Sequence, residues 1–203
     1  SHLLRSKVAS LSDLLDDLTG GDETRAEAVV SALIDLGEEA IPALLDLTRS
    51  SDADQRWWGV RVLAQSPAPW VTSRQAGWLI PFLNDPAREV RQCAALGLAI
   101  KPDESAIQPL IRALSDEDSM VGSLAVNALI KLGSVAVPAL IEVVQDASQS
   151  ARIHALRALA EIRDHRAIRI MMKVMGEDSV LLQHWAKEGL ERLGLDMVYI
   201  KPV

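Results

Sequence analysis

Apolar residues recur at helical spacing along nearly the whole chain, and they do so in two alternating patterns. The first, helix A, carries a stripe of small residues. Aligned, it runs over 25–33, 55–63, 90–98, 121–129, 151–159 and 182–190, with successive starts 30 to 35 residues apart. The fifth, eighth and ninth positions are small or apolar in every copy, and that spacing is one face of a helix. Ala and Gly on such a face let neighbouring helices approach closely. The second pattern, helix B, pairs larger apolar residues one turn apart over 40–47, 106–114, 136–143 and 167–175, with a divergent copy at 75–83 and a further copy at 10–18. Gly37, Asp103, Gly133 and Asp164 stand at corresponding points where helix B begins. Asp and Gly both suit a helix start. Pro42 and Pro138 sit in first turns, where a missing N–H costs least. Acidic, Ser-rich turns join the units and supply the starts of the next helix A.

The repetition is literal in places. Residues 31–47 and 127–143 share nine of seventeen positions, from Ala32/Ala128 to Leu44/Leu140, at an offset of three 32-residue steps. Self-similarity at that period predicts stacked helical units. The expected organisation is one array over 1–203. It comprises an N-terminal half-repeat at 3–20, repeats near 24–50, 55–85, 89–116, 120–147 and 151–176, and a C-terminal repeat and cap at 180–203. Ser66-Pro67-Ala68-Pro69 reads as a lengthened A–B loop inside the second unit.

The phrases at 88–119 and 151–179 resemble HEAT repeats, and more narrowly the short repeats of the phycobilisome-lyase type. The resemblance runs from about Ser10 to Gly194. It implies an all-α fold, an α-solenoid in which antiparallel helix pairs form a right-handed superhelix of about six HEAT-like repeats. Helix A would be convex and helix B concave. Members of the group serve as protein-binding scaffolds, bilin lyase subunits and accessory domains. A di-iron hydroxylase of the wider HEAT class uses His-Glu pairs, and no histidine here is followed by Glu.

Composition narrows the function classes. The net charge of −7 argues against a general nucleic-acid binder. A lone cysteine, Cys93, forms no internal disulfide and fits a reducing, cytoplasmic compartment. No membrane span, no metal site and no cofactor is expected. No phosphate-binding loop or nucleophile elbow is present in the sequence. Charge is uneven, at −6 over 1–50, +1 over 51–100, −4 over 101–150 and +2 over 151–203.

Candidate binding residues follow from the repeat register. Equivalent positions of helix B trace a ridge through Asp46, Pro81, Arg112, Glu142 and Lys173, with Gln108 and Arg169 one turn earlier. Trp78 joins them as an anchor, because exposed Trp and Arg commonly carry interfaces. Trp57, Arg61 and Trp70 form a candidate surface aromatic patch. Trp57 lies four residues before Arg61, at cation–π spacing. Trp58, Trp185 and Cys93 share a mostly apolar helix-A position and are assigned to packing. Arg56, Arg91 and Arg152 recur at its second position and are assigned to repeat stacking. Asp85, Asp116 and Asp146 are assigned to capping. The leading expectation is a non-catalytic scaffold that binds a protein or peptide on the helix-B face. A bilin lyase subunit or tetrapyrrole-handling factor is the alternative, with an apolar pocket expected near Trp57, Trp70 and Trp78. A HEAT-like DNA glycosylase ranks last, given the acidic balance.

Overall fold

The computed structural model describes residues 9–66 and 69–195, with the side chains of 67–73 outside the description. The chain falls into two compact units, 1–75 and 76–203. The first contains α1 (Leu11–Thr19), α2 (Glu23–Asp35), α3 (Ile41–Thr48), α4 (Ala53–Gln65) and most of α5 (Pro69–Leu79). The second continues with α6 (Arg88–Ile100), α7 (Ile107–Ala113), α8 (Ser119–Leu132), α9 (Val137–Asp146), α10 (Gln149–Ile162), α11 (Ile168–Met175) and α12 (Val180–Arg192). No strand occurs among the described residues.

In unit 1, α1 packs on α2 and α3 packs on α4. In unit 2, the A helices α6, α8, α10 and α12 lie side by side in sequence order, and the B helices α7, α9 and α11 form a second row. The small-residue stripe explains the close approach. Ala94, Ala125, Ala155 and Ala186, all at the fifth position, are fully buried. The ninth-position leucines Leu33, Leu63, Leu98, Leu129, Leu159 and Leu190 are at most 2% exposed. Burying each such side chain contributes about 1.5–3 kcal/mol. Gly189 extends the logic. A Cβ there would collide with the Met171 sulfur and stand 3.3 Å from the Ala160 Cα, so α12 reaches α10 and α11 only through a residue with no side chain.

The B helices begin in a common way that differs from a simple N-cap. Each of α3, α7, α9 and α11 is preceded by a 3-10 turn, at Gly37–Ala40, Glu104–Ala106, Gly133–Ala136 and His165–Ala167. Two chemistries serve one position. Gly37 and Gly133 take left-handed φ values of 60° and 71°. Asp103 and Asp164 instead accept the backbone N–H two residues on, at 2.8 and 2.9 Å. The A helices are capped by side chains of the acidic turns: Asp52 accepts from Asp54 N–H, Asp118 from Val121 N–H and Ser148 from Ala151 N–H.

Two expectations change. The lengthened loop ends sooner than its prolines suggest: α5 begins at Pro69, whose fixed φ suits a first helical residue. Trp70 is therefore helical, and its side chain lies outside the described residues. Asp85 and Asp116 each accept the N–H two residues on inside the turn, from Ala87 and Asp118 at 2.9 Å, while the N-cap residues of α6 and α8 are Ala87 and Asp118 themselves. Within 119–146 an 18-residue window reaches a mean hydropathy of 1.9. The stretch is nevertheless split at Gly133 into α8 and α9, of 14 and 10 residues, and a membrane-crossing helix needs about 20 residues. The expected cap at 196–203 and the start of the half-repeat at 3–8 lie outside the described residues.

Candidate functional site

The recurrent arginines of helix A are structural clamps. Arg91 donates to the carbonyls of Asp85 and Pro86 at 2.9 and 3.2 Å, then reaches forward to the Asp116 carboxylate at 3.0 and 3.2 Å. Arg152 repeats the arrangement with the Val144 carbonyl at 2.6 Å and the Glu177 carboxylate at 2.7 Å. Arg56 donates to the carbonyls of Ser50 and Ser51, both at 3.0 Å. Each guanidinium thus holds the turn before its own helix, and Arg91 and Arg152 also hold the turn that follows.

In unit 1, Arg61 lies over the Trp57 and Trp58 rings, 5.5 and 5.4 Å from their centroids. The two indoles meet edge to face at 4.8 Å. Glu27 on α2 grips the same guanidinium with both oxygens, Nη2 to Oε2 being 2.9 Å. Trp58 is 5% exposed, whereas Trp57 is half-buried. The cation–π spacing of Trp57 and Arg61 was legible in the sequence. Glu27 was not singled out, although it occupies the position of Trp57 one repeat earlier. The cluster ties α2 to α4.

The helix-B candidates are exposed. Among the described residues, Asp46 on α3 pairs with neighbouring Arg49, at 3.4 Å. Within unit 2, Pro81, Gln108, Arg112, Glu142, Arg169 and Lys173 are all exposed, and Trp78 is half-buried. Gln108 and Arg112 sit on α7, Glu142 on α9, and Arg169 and Lys173 on α11. Because α9 packs beside both α7 and α11, these side chains line one row of helices. Met172 on α11, 40% exposed, joins the same row and was not singled out from the sequence.

The acidic turns of unit 2 border an open, charged cleft lined by Pro86, Arg88, Glu89, Arg91, Glu117 and Asp118. Hydrogen bonding to its own backbone N–H, then to Arg88, holds Glu89 below the usual carboxylate range. The Val121 N–H, and then Gln92, do the same for Asp118. These groups are committed to one another and to helix starts. No group of three or more His, Cys, Asp or Glu side chains is arranged for a metal ion among the described residues. Cys93 is buried.

A family model described as HEAT repeats matches residues 77–137. The chain resembles HEAT-like repeat proteins, and its repeats are similar to those of the phycobilisome-lyase type. It is 35% identical over 81 residues to the phycocyanobilin lyase subunit beta of a Nostoc species, covering 40% of each protein. It is 36% identical over 105 residues to a phycobilisome maturation protein of Synechococcus elongatus, covering 51% of this chain and 50% of that one. The matched stretch therefore spans half or less of these relatives' length. Among solved structures, the complex of CpcE and CpcF of phycocyanin lyase from Nostoc aligns with a TM-score of 0.52 at 18% identity, over 94% of this chain and 79% of the other. That likeness establishes the α-solenoid fold class.

The relatives overturn the leading expectation of a non-catalytic peptide scaffold. Repeat architecture and exposed helix-B residues suit scaffolds and lyase subunits equally, so the physical pattern alone ranked them wrongly. The named relatives favour the bilin lyase alternative.

Proposed function

We propose that this repeat protein is a subunit of a bilin lyase that handles a linear tetrapyrrole during phycobilisome maturation. The observation that carries the reading is the 35% identity over 81 residues to a phycocyanobilin lyase subunit and the 36% identity over 105 residues to a phycobilisome maturation protein. The covalent step would then be shared with other proteins, and this chain's part is to hold the chromophore beside its acceptor. A second helical-repeat subunit is the expected partner, since the similar phycocyanin lyase structure is a complex of two chains. Rows of packed helices offer broad, rigid surfaces for such assembly.

The test is reconstitution. The chain, a second lyase subunit, a bilin and an acceptor apo-phycobiliprotein are combined, and covalent attachment is read as visible fluorescence that survives denaturing electrophoresis. Attachment that depends on this chain supports the reading. Equal attachment with and without it contradicts the reading.

A further inference from the structure

The arginines of the unit 2 A helices and the cations of α11 stand in different settings. Every arginine in an A helix is tied down: Arg88 to Glu89, Arg91 to Asp116, Arg152 to Glu177, Arg157 to Asn127 and Arg192 to Glu161 and Glu188. Arg169 and Lys173 of α11 are exposed and pair with no acidic group among the described residues. They stand four residues apart, so they share one face, with about 5–6 Å between their Cβ atoms. Helix α11 contains no acidic residue of its own. Met172, between them in sequence and 40% exposed, adds a polarizable apolar contact to the same face.

We infer that this face, Arg169–Met172–Lys173, holds the propionate carboxylates of a linear tetrapyrrole, and the inference rests on the bilin lyase reading. The complementarity is direct. A bilin carries two propionates on adjacent inner rings and a flat, apolar conjugated body. Two cations one turn apart match the paired carboxylates, and the Met172 thioether packs on the ring beside them. Arginine binds a carboxylate through a planar fork, and lysine supplies a point charge. Glu142, exposed on the adjoining α9, contributes the opposing charge and limits how tightly a dianion is held.

The test titrates biliverdin and biliverdin dimethyl ester into the full chain, following visible absorbance. Wild type is expected to bind the free acid about tenfold more tightly than the ester. The double variant Arg169→Gln/Lys173→Gln should weaken binding of the acid about tenfold and leave the ester unchanged. Glu142→Gln should tighten binding of the acid. Lys131→Gln, an exposed cation on α8, should change neither ligand. Unchanged helicity by circular dichroism verifies that each variant is folded. Equal affinity of wild type for acid and ester overturns the inference. So do a double variant that binds as wild type does, an equal loss in Lys131→Gln, and failure of wild type to bind biliverdin. The reconstitution separates the two proposals. If the double variant still supports full attachment, the α11 site falls and the lyase reading stands. If wild type gives no attachment, the lyase reading falls, and the titration still decides the α11 site.

Discussion

The Arg91 guanidinium closes on the Asp116 carboxylate through two hydrogen bonds, of 3.0 and 3.2 Å, across 25 residues of sequence. Both side chains are nearly buried, at 10% and 13% exposure. The pair fastens the turn before α6 to the turn before α8. Removing one partner strands the other charge away from water, so Arg91→Ala should cost about 3–5 kcal/mol. The paired replacement Arg91→Met/Asp116→Leu should recover most of that loss. Urea unfolding of the three proteins measures both effects. A loss below 1 kcal/mol in Arg91→Ala would show that the clamp is dispensable.

Gln75 performs a related task in unit 1. Its side chain is 2% exposed, and its Nε2 donates to the carbonyls of Leu63 and Ala64 at 2.8 and 2.5 Å. These belong to the last turn of α4, where carbonyls lack helical partners. Gln75→Ala should lower stability by about 1–3 kcal/mol, because buried acceptors lose their donor. Gln75→Glu should cost at least as much near neutral pH, since an ionised carboxylate cannot donate. Thermal melts of the two variants rank them.

His154 makes stability pH-dependent. It sits half-buried on α10 against Gly122 of α8, where a Cβ on residue 122 would stand 2.8 Å from its Nε2. Burial, and secondarily the Arg157 charge, holds its pKa below the ordinary histidine value. The unfolded chain therefore binds this proton more readily than the folded one. Stability contributed by neutral His154 is complete above about pH 6.5 and declines as pH falls below that value. His154→Leu should flatten the decline in melting temperature between pH 7.5 and 5.5. Asp103 and Asp164 act at lower pH. Hydrogen bonds from Ser105 and Arg166 lower their pKa values, so their contribution persists above about pH 4 and is lost only as pH falls further. An unaltered slope in His154→Leu would remove His154 as its source.

The small-residue stripe makes the sharpest stability prediction. Ala94 and Ala125 are both fully buried. Ala94→Asp or Ala125→Asp forces an unpaired carboxylate between closely packed helices, at a cost of several kcal/mol. Loss of cooperative melting is the expected result. A soluble variant that melts like wild type would contradict the packing described for that face.

The fold was largely legible in the sequence, because its driving term is periodic. Burial of Leu and Ala at fixed register repeats in every copy, and Trp58 and Cys93 followed the apolar positions they share. Long-range polar ties were harder to read. Arg91 could be assigned to stacking from its recurrence, but its partner, Asp116, looked like an ordinary turn aspartate. The 3-10 entry to each B helix was also hidden, since Gly37 and Asp103 satisfy one backbone position by different chemistry. Function was least legible. Arg112, Arg169 and Lys173 announce an exposed charged row, and the same row suits a peptide or a chromophore. Only the lyase relatives favour the chromophore.

The most direct test is the rate of covalent bilin attachment to an apo-phycobiliprotein in the presence of the second lyase subunit. It is compared with wild-type chain, without the chain, and with the Ala125→Asp variant. The expected result is rapid attachment with wild type and only the slow spontaneous background in the other two. Equal rates in all three reactions would contradict a role in bilin attachment.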